Sequence, residues 1–447
     1  MDKRLDLAKE AIFPLIIKMS WPSIIAMLAI SVYNFIDTFW LARLSSQALA
    51  ALTVCFPIQM LFAAVGVGTG VGAGSFSARM FGAKNVSEAQ HTAGQIFFLS
   101  LSFGLAIIFV VFLFGDALLL FFGAFEEIMD ECRAYIRVVV FSAPFLIFSM
   151  MSNNLLRAEG RPLLSMTVVL ISSFVSALLD PLLIFGLGPF PRLGISGAAL
   201  AAVLAQIFAC FFSVYFLSMR SSRFRLQWKF LLPNLSIIQS IFATGLPTIV
   251  TNLVLTIVLI AYNHVLAQFG SLAIGALGIC FRINGLVTMI LYGIGFGLMP
   301  IVGFSQGAGL HERLRHSVLL SIRVATVFSF ISSIVLAIFA RPIVGIFTTD
   351  PALIDIATLA LRIYISALVV SAPIIIYINM FIGLGKGTLA MYLLLVRDTL
   401  FLIPLLLGLS KFFGLIGAWL ALPISMLIAF FLISSKARAE LNRYEKA

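Results

Sequence analysis

Twelve long apolar stretches follow one another along this 447-residue chain, separated by short charged or glycine- and proline-containing segments. They lie near 15–42, 47–80, 93–115, 134–157, 163–187, 195–217, 238–268, 272–305, 317–340, 361–383, 388–409 and 413–435. A run of about twenty apolar residues crosses a hydrocarbon core of about 30 Å as a helix. Runs longer than that imply tilt, kinks or ends that protrude into water. The composition agrees: 62% of residues are hydrophobic and 11% charged, against about 25% charged in soluble domains. The expected fold is therefore an all-α polytopic membrane protein of twelve transmembrane helices. The net charge of +11 speaks through its placement, not as a nucleic-acid signal. Cys55, Cys210 and Cys280 fall in apolar stretches and Cys132 stands alone in an outer loop, with no disulfide or metal spacing. The first run is too long, and lacks the small-residue cleavage site, for a removable signal peptide. Residues Asp2 to Lys18 mix Lys, Arg and Glu with Leu, Ile and Phe, the pattern of a short interfacial helix leading into the first span.

Lys and Arg set the expected orientation. With the N-terminus inside, the inner segments hold Lys3, Arg4, Lys9, Lys18, Arg79, Lys84, Arg157, Arg161, Arg220, Arg223, Arg225, Lys229, Arg313, Arg315, Arg323, Lys386 and four more at the C-terminus. The outer segments hold Arg43, Arg133, Arg137, Arg192, Arg341, Arg362 and Lys411. This bias predicts both termini in the cytoplasm. Nearly all of these charges are topology determinants, not ligands.

The chain repeats itself. A shift of 225 residues sets Trp21-Pro22 on Leu246-Pro247, Cys55-Phe56 on Cys280-Phe281, Gly68, Gly70 and Gly72 on Gly293, Gly295 and Gly297, and His91 on His316. Further on, Ala143-Pro144 matching Ala372-Pro373 and Gly194 matching Gly414 indicate a small slip of register. Each half holds six spans, an even number, so the halves run the same way through the membrane. Two tandem six-helix lobes related by a pseudo-two-fold axis along the membrane normal are expected, with a substrate site at their interface. The expected division is an N-terminal lobe at 1–219, a basic cytoplasmic linker at 220–235 and a C-terminal lobe at 236–447.

Two acids lie inside apolar stretches without a basic residue beside them. Asp37 sits in the first, with Tyr33 one turn earlier on the same face; Pro22 makes a kink plausible below it. Asp180, followed by Pro181, sits in the fifth. An intramembrane acid costs about 3 kcal/mol at the helix centre and marks an ion or proton site more often than a structural one. Counted from the span ends, both acids reach a similar depth in the outer half. Two carboxylates together in a poorly hydrated cavity repel one another and are hard to ionise together, which suits a proton carrier. The glycine run Gly66 to Gly74 lacks the strand and the Lys-Ser/Thr of a phosphate loop. Its four-residue period is a helix-packing stripe.

The second half does not repeat the acids: Tyr262 stands at the position of Asp37 and Leu405 at that of Asp180. It carries Arg282 beside Asn284, and Arg397-Asp398, instead. Adjacent residues diverge on a helix, so the plainer expectation is that Arg282 and Asp398 neutralise each other across helices. Otherwise they line a polar cleft. Phe56, Gln59, Met60, Phe145, Phe148, Met150 and Met151 form an aromatic and Met-rich set that is core or lipid-facing, or suits promiscuous binding of lipophilic cations. His91, His264, His311 and His316 have no metal-ligand spacing, and no nucleophile or Walker signature appears. No enzymatic activity and no cofactor is expected.

The span-one pattern Pro22 … Tyr33-Asn-Phe-Ile-Asp37, the glycine-rich span ending in Ser77-Ala-Arg-Met-Phe-Gly82, Arg157-Ala-Glu-Gly160-Arg-Pro162 and Asp180-Pro181-Leu … Gly194-Ile-Ser-Gly197-Ala-Ala together resemble the multidrug and toxic compound extrusion (MATE) transporters, and among them the DinF-like branch. The resemblance covers essentially the whole chain. It implies a V-shaped pair of lobes with alternating access, exporting lipophilic, often cationic compounds against inward proton or sodium flow. By matching position, Asp37 is the protonated acid, Asp180 its partner, Tyr33, Asn153 and Ser176 belong to the same polar cluster, and Pro22 is the bend point. Asn153 counts as lying further inward than the acids. Substrate contact is expected at Asn34, Phe56, Gln59, Met60, Phe148, Met151, Arg282 and Asn284. Ser176 stands where some relatives have Asn, and Ala198 where a small hydroxyl residue is expected. Both changes remove oxygen ligands and favour protons over sodium. The expected function is proton-coupled multidrug export across a bacterial inner membrane by a monomer. A sodium-coupled antiporter and a lipid-linked sugar or polysaccharide flippase are the alternatives, the latter calling for more cavity cations than Arg282 and Arg397.

Overall fold

The structure, a computed structural model, describes residues 4–224 and 230–444. Lys3, Arg225, Lys229 and Lys446, four of the inner-side charges, lie outside the described residues, as does the middle of the 220–235 linker. The described residues are helical and turn segments without strands. In order they form α1 (Ile12–Leu44), α2 (Ser46–Gly82), α3 (Val86–Phe121), α4 (Met129–Val139), α5 (Ala143–Ala158), α6 (Pro162–Phe185), α7 (Ile195–Ser218), α8 (Leu235–Ala267), α9 (Ser271–Gly307), α10 (His311–Ile338), α11 (Ala340–Gly345), α12 (Pro351–Gly383), α13 (Gly387–Leu395) and α14 (Ile403–Arg443). Local signals explain the starts. Ser45 accepts from the Ala48 amide at 3.0 Å, and Asp350 from that of Ala352 at 2.9 Å ahead of Pro351, so two orphan amides are capped.

Eleven described helical stretches are long and apolar enough to cross a membrane. The last, Gly387–Arg443, holds two of the twelve expected spans. Gly414, at φ 60° and ψ −140°, breaks it in two, a backbone geometry that a side chain would strain. The fourth expected span is α4 and α5 joined by a 3₁₀ turn at Val140–Ser142. The expected interfacial helix over Asp2–Lys18 is corrected: Leu7 to Glu10 form a turn and helix begins only at Ile12. Tertiary partners take the backbone groups that a helix would have used. The Leu5 amide donates to Gly160 at 3.0 Å. Arg313 donates to the carbonyls of Leu7 at 2.7 Å and Glu10 at 2.6 Å.

Packing divides the chain into two compact units, Met1–Asp6 with Ile25–Ile249, and Leu7–Ile24 with Val250–Ala447. The repeat is a property of the linear sequence; the packed units exchange their leading half-helices. The division between units falls within α1 two residues after Pro22 and within α8 two after Pro247, both helices being continuous there. Glycines make the exchanged seats. A methyl group on Gly72 would collide with Ile241, and one on Gly68 with Ile249 and Gly245, all in the first unit. In the second, Gly297 and Gly293 bear in the same way on Ser20 and Ile24, each 225 residues from its counterpart. Only a residue without a side chain lets helices approach so closely.

The same shift relates interior contacts. Asn154 Nδ2 donates to the Met150 carbonyl and Asn379 Nδ2 to that of Ile375, both at 2.9 Å. Asn154 covers Gly70 and Asn379 covers Gly295. Cys55 Sγ faces the Cys132 carbonyl and Cys280 Sγ that of Ala357, both at 3.8 Å. The expected slip at Ala143-Pro144 is thus corrected: the 225-residue register still holds at Asn154 and Asn379. In that register Pro144 falls on Val369 and Pro373 on Phe148.

Part of the linker is tied to the first unit by buried polar groups. Gln95 donates to the carbonyls of Phe230 at 3.0 Å and Leu232 at 2.7 Å, and accepts from the Asn234 amide at 2.8 Å. Glu159, just past α5, accepts from the Arg223 amide at 2.6 Å and from Ser222 Oγ at 3.1 Å. Burial pushes the Glu159 carboxyl up, and the Arg223 amide bond, Arg161, Ser222 and Arg4 pull the other way.

Candidate functional site

The site begins with two helices held level. Three residues past Asp37, Trp40 of α1 meets Phe185 of α6 edge-on with ring centroids 5.8 Å apart, five residues past Asp180. Asp37 and Asp180 are therefore brought to matching depth within the first unit, and their carboxylates interact electrostatically. Tyr33, one turn before Asp37, interacts with both. Ser176, one turn before Asp180, is buried and approaches the Tyr33 phenol outside regular hydrogen-bond geometry. Four of the residues expected as one polar cluster thus come together: Tyr33, Asp37, Ser176 and Asp180.

Asp180 is the most constrained of them. It is 1% exposed, and both its carboxylate oxygens are buried without a hydrogen-bond partner among the described residues. An isolated ionised carboxylate in such a place costs far more than a neutral acid. A second carboxylate nearby adds to that cost.

Sequence inspection missed Tyr135. It lies on α4, is 2% exposed, and interacts electrostatically with Asp37 and Tyr33. Gln59 of α2, expected to touch substrate, donates its Nε2 to the Tyr135 hydroxyl at 2.8 Å. That bond leaves the phenol proton unused by Gln59. Tyr135 sits in an amphipathic segment with Asp130, Glu131, Arg133 and Arg137, at the charged outer edge of the fourth expected span. Its spacing of three from Cys132, whose carbonyl faces Cys55, was the available signal.

The remaining expected residues scatter. Asn153 is buried with an unpartnered Oδ1 and makes no hydrogen bond to Tyr33 or the acids among the described residues. Asn34, Phe56 and Met60 are exposed. Phe148 and Met151 are buried in helix packing: Phe148 meets Phe97 edge-on at 5.6 Å, and the Met151 backbone lies against Gly70. Pro22 is buried inside a continuous α1. In the second unit Arg282 is exposed and Asn284 half-buried with an unpartnered Oδ1. The expected pairing of Arg282 with Asp398 is corrected, because Asp398 pairs with its neighbour Arg397. A π-helical segment over Val396–Leu402 carries both residues. Among the described residues no group of three or more His, Cys, Asp or Glu forms a metal cage.

Known proteins resemble the chain along its length. A sequence model of the MatE family matches residues 22–182 and again residues 247–407, and both ends of the second match fall 225 residues after those of the first. The multidrug export protein MepA of Staphylococcus aureus (strain MRSA252) is 27% identical over 412 residues, spanning 92% of this chain and 90% of that protein. A multidrug resistance MATE family transporter of the MOP superfamily, solved in an outward-facing conformation, superposes with a TM-score of 0.93 at 25% identity, covering all of both chains. A MOP superfamily transporter from Pyrococcus furiosus, whose binding pocket is described as reversed in polarity with a suggested different function, superposes at 0.92 and 25% identity, also over all of both chains.

Proposed function

The chain belongs to the MATE family of multidrug efflux transporters, and from that premise we propose that it is a proton-coupled antiporter whose coupling site is the Asp37–Asp180 cluster. The observation that carries this reading is the Asp180 carboxyl, buried beside Asp37 with neither oxygen hydrogen-bonded among the described residues. Such a pair exists more cheaply with a proton bound than with two charges. Proton uptake and release at Asp37 and Asp180 change the charge of the cluster, and drug and proton compete for it. Tyr33 and Ser176 support the pair, and Pro22 provides the bend of α1 that follows the change of charge. Sodium is the weaker alternative: Ala198 offers no oxygen, and Ser176 offers one hydroxyl where some relatives have an amide.

The exported compounds are small, lipophilic and cationic, meeting Asn34, Phe56 and Met60 before release. The chain works as a monomer in a bacterial cytoplasmic membrane with both termini inside, and the repeat at 1–219 and 236–447 supplies its two lobes. MATE relatives are transporters, and export needs no chemistry on the cargo. The polysaccharide-flippase alternative is disfavoured because Arg397 is already neutralised by Asp398.

The test is reconstitution in liposomes with an imposed pH or sodium gradient, following one cationic dye. A pH gradient drives dye movement in the wild type, and Asp37→Asn abolishes it while the protein still inserts. Dye movement in Asp37→Asn at the wild-type rate, or drive by sodium alone, overturns the proposal.

A further inference from the structure

The four cysteines stand as free thiols, and two of them meet. Cys55 on α2 and Cys132 on α4 are 77 positions apart, with no spacing that pairs them in the sequence. In the fold, Cys55 Sγ lies 3.8 Å from the Cys132 carbonyl, and the two thiols interact side chain to side chain. Both residues are 0% exposed, in an apolar cluster of the first unit with Ala51 and Ile136. Gln59, four residues past Cys55, reaches Tyr135, three residues past Cys132. One turn onward on each helix the partners meet again, so α2 and α4 run side by side in a common direction. Cys55 and Cys132 are therefore neighbours by helix register.

A buried cysteine is ordinarily a small hydrophobe. The internal repeat separates that role from this pair. Cys280 of the second unit faces the Ala357 carbonyl at the same 3.8 Å, and Ala357 stands 225 positions after Cys132. The same helix contact is packed with a methyl group there, so packing does not require sulfur at Cys132. The N-terminal end of α4 also opens at low free-energy cost. The helix has 11 residues, no side-chain cap at Ile128 and a 3₁₀ turn on either side. Its first turn carries the exposed Asp130, and the tie from Arg133 to Asp116 of α3 is a surface ion pair, which adds little. Fraying of such an end brings Cys132 to water while Cys55 keeps its place.

We propose that Cys55 and Cys132 form an oxidation site, in which a small neutral peroxide converts the pair to a disulfide that staples α4 to α2. The Cys132 sulfur attacks one peroxide oxygen: the S–O bond forms, the O–O bond breaks, and the thiol proton leaves with the other oxygen as water. Cys55 then attacks that sulfur: the S–S bond forms, the S–O bond breaks, and a second water carries off the Cys55 proton. Each sulfur loses one electron and the peroxide gains two. The staple fixes the two helices one turn from the Gln59–Tyr135 bond.

The test treats the purified full-length protein in detergent with hydrogen peroxide, removes the peroxide, then unfolds the chain and alkylates it with a maleimide. In the wild type Cys55 and Cys132 escape alkylation together and return with dithiothreitol, and digestion without reductant yields one linked peptide pair containing both. Thermal unfolding moves up by a few degrees on oxidation and returns on reduction, because the bond restricts the unfolded chain. Cys132→Ala, which copies the packing at Ala357, gives no linked pair and no shift. Cys55→Ala does the same and covers the case in which Cys132→Ala does not fold. Full alkylation of Cys55 and Cys132 in the peroxide-treated wild type overturns the inference. So do a loss that dithiothreitol does not reverse, a linked pair that forms only in the unfolded chain, and an unfolding temperature that oxidation leaves unchanged.

Discussion

The two units carry the same helical frame around opposite interiors. Where the first unit has Tyr33, Asp37 and Asp180, the second has Val258, Tyr262 and Leu405 at the 225-residue shift. Val258 and Tyr262 belong to a buried apolar cluster against which Leu405 packs. Tyr262 lies among Phe281 and Tyr364, with centroids 6.5 Å from each, and Tyr364 meets Trp419 at 6.2 Å. A duplicated scaffold has thus kept its packing and confined its titratable pair to one half. The lesson is energetic: buried carboxylates are costly, and the half that lacks this pair fills the same depth with aromatic rings.

That contrast is open to direct attack. The largest effect is expected from Asp37→Asn and Asp180→Asn, each of which abolishes pH-gradient-driven dye export in liposomes, whereas Tyr262→Phe leaves it intact; loss of export in Tyr262→Phe would erase the asymmetry. Next come Gly72→Ala and Gly297→Ala, which force a methyl group against Ile241 and against Ser20. Overpacking of this kind destabilises by about 1–3 kcal/mol, and equal falls in thermal stability in detergent are expected because the exchanged half-helices are equivalent. A fall in one alone would mean that they are not.

A smaller effect separates the phenols. Tyr135→Phe removes the acceptor of Gln59 beside Asp37 and slows export severalfold, matching a hydrogen bond of about 1 kcal/mol. Tyr364→Phe, whose hydroxyl has no hydrogen-bond partner among the described residues, leaves the export rate unchanged. The smallest effect concerns Glu159, whose counterpart is the buried Leu384. Burial raises the Glu159 carboxyl above its ordinary 4.5, so the folded state holds the proton more tightly than the unfolded chain. Its contribution to stability therefore falls as pH rises from about 4.5 through the folded value. Glu159→Gln should remove that slope from thermal unfolding measured across the acid range, and an unchanged slope would assign it to another group.

Much of the fold was legible because its signals are local or periodic. Apolar length marked the spans, the glycine spacing marked the close helix contacts, and the bare acids Asp37 and Asp180 stood out against an apolar background. Residues whose meaning depends on partners were not legible. Gln59 and Tyr135 are 76 positions apart and neither is conspicuous alone. Phe148 and Met151 carried the composition of a binding surface but are consumed by packing. Arg397 and Asp398 were expected to diverge because an α-helix was assumed, and a π-helical stretch brings them together.

By itself the sequence determined a duplicated, all-helical membrane chain with Asp37 and Asp180 in one half, since hydrophobic length, the 225-residue shift and intramembrane charge are written in residue order. Only the tertiary structure decided which half-helix seats in which unit, that Tyr135 joins the acid cluster, and that Cys132 comes to rest against Cys55. Those outcomes depend on close approach and on where each polar group finds its partner, quantities that exist only once distant segments have packed.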